Sequence, residues 1–138
     1  MLYVGTFGNG LYKSIDNGVT WTTQANGLPD SSISDVVVDP DNLDSVLVAS
    51  ESGVFRSIDG GESWTETTSG LGISARTLVF DPSMAGRVYL GTRQKGAYRS
   101  LDGGQTWEVL NDGLGLFDVN HLGFSPSGGD LYAATNSG

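Results

Sequence analysis

The stretch SIDNGVTW at residues 14–21 decides how the fold of this 138-residue chain is interpreted. It recurs as SIDGGESW at residues 57–64 and as SLDGGQTW at residues 100–107, so the motif begins every 43 residues. All three tryptophans of the chain are the last residues of these octapeptides. Because internal repeats of roughly 20 to 50 residues are typical of solenoids and propellers, the repeat is interpreted before any single residue.

The sequence around each octapeptide repeats as well. The segment before it reads GLYK at residues 10–13, GVFR at 53–56 and GAYR at 96–99. Further upstream are the runs LYVGT (2–6), VLVAS (46–50), VYLGT (88–92) and LYAAT (131–135). Downstream are Gly-Leu pairs at 27–28, 70–71 and 113–114, followed by DVVVDP (35–40), TLVFDP (77–82) and HLGFSP (121–126). Each repeat therefore holds four short runs separated by turn residues, which predicts four strands.

Four short antiparallel strands per unit of roughly 40 to 50 residues are the pattern of a propeller blade. We name the predicted strands a to d: a ends in proline, b is the LYVGT-type run, c the GLYKS-type run, and d begins at the tryptophan. The chain then reads b-c-d, a-b-c-d, a-b-c-d and a-b, and Gly138 lies where a further strand c would begin. We predict an all-β propeller segment over residues 1–138, with repeats at approximately 2–44, 45–87, 88–130 and a partial one at 131–138.

Each octapeptide is predicted to form the turn between strands c and d. Its glycine permits a positive φ, and its aspartate accepts hydrogen bonds from the backbone of the turn. The tryptophan ring is expected to be buried beside the turn, between blades. The predicted structural residues are Ser14, Asp16, Gly18, Trp21, Ser57, Asp59, Gly61, Trp64, Ser100, Asp102, Gly104 and Trp107.

This pattern, Ser-x-Asp-x-Gly-x-Thr-Trp, resembles the Asp-box, or BNR repeat. Asp-boxes occur in sialidases, xyloglucanase-type glycoside hydrolases, photosystem II assembly factors and sortilin-type receptors. All three copies match, with Ser63 in place of the usual threonine in the second. The resemblance implies a β-propeller in which the Asp-boxes lie on the face away from the ligand. Each copy offers one carboxylate, whereas a calcium loop needs several, so no metal site is predicted there.

The resemblance implies that ligands meet the opposite face, which is built by the b–c and d–a loops. These loops differ from copy to copy, as expected of a binding surface, although ordinary solvated loop residues are the alternative interpretation. The candidate binding residues are Phe7, Asn9, Asp30, Glu51, Arg76, Arg93, Gln94, Lys95, Phe117, Asp118, Asn120 and His121.

His121 is the single histidine and occupies the position of Asp35 and Thr77 in the other copies. It has no second histidine or cysteine to complete a metal site, and no cofactor is predicted. As a general base it would need a partner, and Asp118 is the nearest acidic residue in sequence. The alternative is a half-exposed strand residue with no chemical role.

Composition excludes several classes of function. The net charge of −9 and the pI of about 4.2 argue against binding to nucleic acid or to an anionic membrane surface. The absence of cysteine excludes disulfides and thiolate catalysis. No stretch reaches the length of a membrane span, and the start of the chain lacks a signal-peptide pattern. The family resemblance favours a secreted or periplasmic location.

An enzymatic role is not favoured by the residues. Glycosidases need two facing carboxylates, whereas the resemblance to sialidases implies a tyrosine nucleophile with a cluster of arginines. Of the five arginines, Arg56 and Arg99 share a strand position with Lys13, which leaves too few for such a cluster. The leading hypothesis is a non-enzymatic module that binds a protein or a glycan. The alternatives are a fragment of a sialidase- or xyloglucanase-like glycoside hydrolase, and an assembly factor that binds a membrane-protein segment.

Three blades do not close a propeller ring, because known propellers use about four or more blades. The chain is therefore expected either to be a fragment of a larger propeller or to assemble with copies of itself. A homodimer with six blades is the simplest ring. In it, the C-terminal strand a would complete the b-c-d blade of the neighbour, and one strand b would be left over.

Overall fold

The computed structural model describes residues 1–29, 31–113 and 117–136, and in these ranges it is built from β-strands. None of the described residues forms a helix long and apolar enough to cross a membrane. The strands are β1 (Leu2–Gly5), β2 (Leu11–Ser14), β3 (Thr22–Thr23), β4 (Ile33–Asp39), β5 (Asn42–Ser50), β6 (Gly53–Ser57), β7 (Thr65–Glu66), β8 (Ala75–Phe80), β9 (Val88–Thr92), β10 (Ala97–Ser100), β11 (Glu108–Val109), β12 (Val119–Phe124) and β13 (Leu131–Thr135).

These strands form four antiparallel sheets in which neighbours in sequence are neighbours in space. The first sheet is β1-β2-β3, the second β4-β5-β6-β7, the third β8-β9-β10-β11 and the fourth β12-β13. Each is a meander with the strand order b-c-d, a-b-c-d, a-b-c-d or a-b. The all-β propeller-blade fold expected from the repeat is therefore confirmed.

The strand boundaries differ from the predicted ones in two respects. The d strands are only two residues long and begin one residue after each tryptophan. In the first two sheets the tryptophan is still bonded within the turn, since Trp21 Nε1 donates to Gly18 O and Trp64 Nε1 to Gly61 O, both at 3.1 Å. β5 is longer than predicted and begins at Asn42, because Asn42 pairs with Asp39 across a tight turn.

The hydrophobic core lies between adjacent sheets. In β5, Val46, Leu47 and Val48 are all fully buried, so both faces of this strand are covered. Val48 belongs to a cluster shared with the first sheet, and Leu47 to a cluster shared with the third. Because burying one such side chain stabilises a fold by roughly 1.5–3 kcal/mol, each sheet depends on its neighbours for stability.

Side chains at one repeat position connect the innermost strands β4, β8 and β12. Asp35 Oδ2 accepts a hydrogen bond from Leu78 N at 2.8 Å, and Thr77 Oγ1 accepts one from Leu122 N at 3.3 Å. His121 holds the third such position, opposite Ala134 on β13. His121 thus has the repeat position of these two acceptors, but its own side chain is exposed.

Candidate functional site

Each Asp-box turn is held by a closed set of hydrogen bonds. Ser14 Oγ donates to Asp16 Oδ1 at 2.8 Å and accepts from Gly18 N at 2.8 Å. Asp16 also accepts from Thr20 N at 2.9 Å and from Thr20 Oγ1 at 2.6 Å. The other two turns repeat this set with Ser57, Asp59, Gly61 and Ser63, and with Ser100, Asp102, Gly104 and Thr106. The carboxylate of each Asp-box thus accepts hydrogen bonds from its own turn.

These hydrogen bonds also fix the charge of the turn aspartates. The Thr20 hydroxyl, and then the Thr20 N–H and the Ser14 hydroxyl, lower the pKa of Asp16 to about 2. The Ser63 and Ser57 hydroxyls likewise lower the pKa of Asp59 to about 2. Burial opposes the change at Asp102, but hydrogen bonds from its turn still hold its pKa below the usual value. None of these three groups can therefore act as a general acid near neutral pH.

Acid should weaken the fold through these turns. The folded-state pKa of Asp16 and Asp59 is depressed, so their contribution is complete above the unfolded pKa of roughly 3.9 and is lost as the pH falls toward about 2. Denaturant unfolding at a series of pH values should show stability falling below roughly pH 4. Asp59→Asn should lower stability at neutral pH and flatten this acid loss, while Asp112→Asn, an exposed control outside the turns, should not flatten it. An unchanged acid slope in Asp59→Asn would contradict the assignment.

The three Asp-box tryptophans have different surroundings. Trp64 is 7% exposed and packs with Leu11 and Tyr3 of the first sheet. Trp107 is half-buried, and its Nε1 donates to Thr67 Oγ1 of the second sheet at 3.1 Å. Trp21 is 40% exposed, contrary to the expectation that all three rings lie between blades. The physical reason is that no sheet among the described residues precedes the first one.

A cleft of about 320 Å³ opens where the b–c loops and the starts of the a strands meet. It brings together five of the predicted candidates. The lining residues are Phe7, Ser34, Glu51, Ser74, Ala75, Arg76, Arg93 and Asn120.

One row of cleft residues comes from β-bulges. Strands β4, β8 and β12 each shift register at the same place, and the extra residues are Ser34, Arg76 and Asn120. A bulge leaves its extra residue unpaired and re-aims the side chain, here to line the cleft. Arg76 Nη1 donates to Asn120 Oδ1 at 3.1 Å, which connects two neighbouring bulges. Sequence reasoning missed Ser34.

A second row comes from the residue that follows each strand b. Phe7, Glu51 and Arg93 follow Thr6, Ser50 and Thr92, which are equivalent positions of the repeat. The two rows share one property: the residue type at each repeat position changes from copy to copy, while the position itself is the same in every copy. A strand-by-strand alignment of the copies would have revealed both rows and would have included Ser34.

The charge in the cleft differs from that of the chain. The cleft contains two guanidinium groups, Arg76 and Arg93, and one carboxylate, Glu51, whereas the chain carries a net charge of −9. Phe7 is 92% exposed at its rim. The arrangement therefore suits an anionic group held beside an apolar or aromatic one. Among the described lining residues there is a single carboxylate and no tyrosine, so neither a carboxylate pair nor a sialidase-type set is present there.

Several of the remaining candidates support loops. Asp118 Oδ1 accepts from Gln94 N at 2.8 Å, and Asp118 Oδ2 accepts from Asn136 Nδ2 at 2.7 Å. Lys95 Nζ donates to Leu71 O at 2.9 Å. Asp118 is thus engaged with the loops rather than with His121.

The other candidates lie apart from the cleft. Asn9 lines a separate hollow of about 200 Å³ beside Leu11. Phe117 supplies a carbonyl that accepts from Gly96 N at 3.2 Å. Asp30 lies outside the described residues, as does Gly138. Among the described residues no group of three His, Cys, Asp or Glu side chains is placed to hold a metal ion.

Comparison with known proteins identifies the family. The family model for Sortilin-Vps10 (sortilin, neurotensin receptor 3) matches residues 9–132. The chain belongs to the Sortilin-Vps10 family. No curated protein sequence matches this Sortilin-Vps10 chain at a significant level.

Solved structures share the fold of this Sortilin-Vps10 chain. An ancestral GH74 enzyme is 22% identical with a TM-score of 0.83, and the match covers 99% of this chain and 20% of that one. YCF48 from Cyanidioschyzon merolae is 17% identical with a TM-score of 0.66, covering 93% of this chain and 42% of that one. YCF48 bound to D1 peptide is 22% identical with a TM-score of 0.68, covering 97% and 44%. The chain therefore spans a fifth to less than half of these proteins, and the likeness concerns the fold alone.

Proposed function

We propose that the chain is a non-enzymatic binding module whose loop-face cleft holds a peptide segment with an anionic group next to an apolar side chain. The observation that carries this proposal is the pairing of Arg76 and Arg93 with the exposed ring of Phe7 in one cleft. Guanidinium groups bind carboxylates through charge-assisted hydrogen bonds, and an exposed aromatic ring offers a flat apolar contact.

A peptide ligand is favoured over a glycan by two considerations. YCF48, which shares the fold, has been solved with a D1 peptide. In addition, the local positive charge of the cleft selects for anionic groups, which neutral sugars lack. An assembly factor that binds a membrane-protein segment is one form that such a peptide-binding module takes.

We propose further that the partner of the chain is a second copy of itself, in a six-bladed ring. Among the described residues the outer edge of β1 pairs with no strand and the fourth sheet has two strands, so further blades, either of the same polypeptide or of a second copy, fit there. Exposed strand edges pair readily with another chain.

The second candidate is a fragment of a glycoside hydrolase. The likeness to an ancestral GH74 enzyme favours it. It would require a carboxylate from blades beyond those described here to face Glu51 at about 5 to 10 Å. Hydrolysis of xyloglucan oligosaccharides that is lost in Glu51→Gln would support this candidate against the binding module.

Fluorescence polarisation tests the proposed function. The probe is a labelled peptide with an aromatic residue and a free terminal carboxylate, compared with the same peptide amidated. Because a hydrogen bond to a charged group contributes about 1.5–3 kcal/mol, Arg93→Gln and Arg76→Gln should each weaken binding about tenfold or more. Lys95→Gln removes the same charge from the same face outside the cleft and should leave binding unchanged. Equal affinity for both peptides, or no effect of either arginine change, would overturn the proposal.

A further inference from the structure

A groove of about 450 Å³ lies on the outer rim of the fold, between the second and third sheets. One wall is formed by β6 and by β7, the outermost strand of the second sheet, and the other by the Asp-box turn of the third sheet. We call it the rim groove. It shares no lining residue with the loop-face cleft. Both sheets have all four strands, and blades that precede the first sheet or follow the fourth would pack on those sheets instead.

A basic residue recurs at one position of strand c, as Lys13, Arg56 and Arg99. Two of these three cations are neutralised by a carboxylate. Lys13 Nζ lies 3.2 Å from Glu62 Oε1, which belongs to the Asp-box turn of the next sheet. Arg99 Nη2 lies 2.7 Å from Glu108 Oε1, which belongs to the d strand of its own sheet. The repeat therefore has two positions from which a glutamate can pair with this cation.

Arg56, which lines the rim groove, has neutral residues at both positions. Gln105 has the repeat position of Glu62, and Thr65 has the repeat position of Glu108. Among the described residues no carboxylate forms an ion pair with Arg56. An unneutralised cation in a groove is notable in a chain whose net charge is −9.

The guanidinium of Arg56 is nevertheless held in place. Its Nε donates to Gly103 O at 2.9 Å, across to the third sheet, and the residue is half-buried. Because a guanidinium carries five N–H donors in a rigid fork, the four on Nη1 and Nη2 remain for a ligand. A side chain that is already fixed loses little freedom when it binds, so Arg56 is preorganised for an anion.

The one carboxylate among the described lining residues, that of Glu66, is directed away from Arg56. Thr65 is the register partner of Arg56, whereas Glu66 is the partner of Phe55. Successive residues of a strand point to opposite faces of the sheet. A Cβ built on Gly53 would lie 3.5 Å from Glu66 Oε1, so this carboxylate lies beside the start of β6 rather than beside Arg56.

Neutral polar groups surround the free guanidinium. The hydroxyl of Thr65 forms no hydrogen bond with any of the described residues. Gln105 uses Nε2 for a bond within its own turn, which leaves Oε1 as an acceptor. The hydroxyl of Ser63 donates within its own turn and keeps lone pairs that can accept. A mixture of neutral donors and acceptors beside one cation suits a ligand with several hydroxyls and one anionic group.

We infer that the rim groove binds an acidic sugar residue of a glycan, with the sugar carboxylate on the Nη atoms of Arg56. Guanidinium and carboxylate form charge-assisted hydrogen bonds, and the sugar hydroxyls meet Thr65 and Gln105. The inference concerns a site separate from the loop-face cleft and does not rest on the function proposed for that cleft.

Two observations favour a single acidic sugar over other anions. β7 has only two residues, so its edge offers little backbone for pairing with an acidic peptide. Ile58 is the one apolar residue among the described lining residues, so an apolar side chain would find little contact. The net charge of −9 repels a polyanion as a whole, which favours a sugar with one carboxylate over a highly sulfated chain.

Titration of the ¹⁵N-labelled chain, followed by NMR, tests the inference. The probes are methyl glucuronide and methyl glucoside, which differ in a carboxylate against a hydroxymethyl group. The glucuronide should shift the amides of Thr65 and Gln105 saturably, and the glucoside should bind at least about tenfold more weakly. Equal affinity for the two sugars overturns the inference.

Simple anions and a peptide serve as the other probes. Acetate and inorganic sulfate carry charge without the sugar hydroxyls, so each should bind more weakly than the glucuronide. If either binds as tightly, the hydroxyls contribute nothing and the groove is not a sugar site. A glutamate peptide with blocked termini that shifts the same amides at lower concentration than the glucuronide also overturns the inference.

Variants separate loss of the site from loss of the fold. Arg56→Gln should weaken glucuronide binding at least about tenfold, whereas Arg99→Gln, at the same repeat position but already paired with Glu108, should not. Gln105→Glu supplies the carboxylate that Glu62 supplies to Lys13. It should block the site to a similar extent without lowering stability in urea unfolding. Parent-like binding in Arg56→Gln or in Gln105→Glu overturns the inference.

Failure of the rim groove and failure of the proposed function remain distinguishable. Arg56→Gln should leave binding of the labelled carboxylate peptide unchanged, because Arg56 does not line the loop-face cleft. A chain that binds this peptide but no glucuronide overturns only the rim groove. Glucuronide binding that is lost in Arg76→Gln but kept in Arg56→Gln would place the sugar in the cleft, and it overturns the inference as well.

Discussion

Replacement of Trp64 by alanine is expected to lower the free energy of unfolding by about 3–5 kcal/mol, the range for a large buried aromatic. The ring is 7% exposed and packs with Leu11 and Tyr3 across the interface between the first and second sheets, and its Nε1 donates to Gly61 O. The substitution removes this contact and leaves a cavity between two sheets that cannot collapse independently.

The matched control is the same substitution at Trp21. Its ring makes the same bond within its turn, to Gly18 O, but is 40% exposed. Urea unfolding of the dilute monomer should therefore show a much smaller loss in Trp21→Ala than in Trp64→Ala. Similar losses of stability in the two variants would mean that the tryptophan mainly stabilises its own turn, and that its packing against the neighbouring sheet contributes little.

The period of the octapeptide was enough to predict the fold. Its constant spacing of 43 residues places every strand in the same local sequence, and turn residues separate the strands. The order of strands in the four sheets follows from that alone, because consecutive short strands joined by tight turns pair with each other. The Sortilin-Vps10 match over residues 9–132 agrees with the Asp-box resemblance.

The cleft was predicted less completely, for a local reason. Ser34 and Arg76 both line it because a β-bulge re-aims one residue of each inner strand, but only Arg76 was among the predicted candidates. Ser34 was missed because a bulge has no clear mark in the run of residues from which a strand is predicted. Grouping by loops, in contrast, placed Lys95 and Asp118 with the cleft residues. In the structure these two side chains form hydrogen bonds that support the loops.

The repeat also could not predict the surroundings of Trp21. Three identical motifs predict three identical environments, whereas burial depends on whether a sheet lies on the other side. Sequence periodicity describes the unit, and packing between units decides how much each copy stabilises the fold. The same distinction applies to the glycines that follow the d strands.

Replacement of Gly27 by alanine is expected to lower the free energy of unfolding by about 2–5 kcal/mol. The φ of Gly27 is +89°, a left-handed conformation that costs a residue with a Cβ about 1–2 kcal/mol. A Cβ there would also lie 2.6 Å from the backbone oxygen of Trp64 in the next sheet, and such overpacking costs a further ~1–3 kcal/mol. Backbone of a neighbouring strand cannot move aside as the end of a side chain can.

Gly70 and Gly113 provide the control, because they occupy the same repeat position with φ of +83° and +80°. Among the described residues, no atom lies within 4 Å of a Cβ built on either one. Gly70→Ala and Gly113→Ala should therefore show only the conformational cost of about 1–2 kcal/mol in urea unfolding of the dilute monomer. The excess loss in Gly27→Ala measures how closely the first and second sheets approach. If all three variants lost the same stability, the turn conformation alone would explain why glycine is needed at this position. The close approach of Gly27 to the backbone of Trp64 would then be wrong.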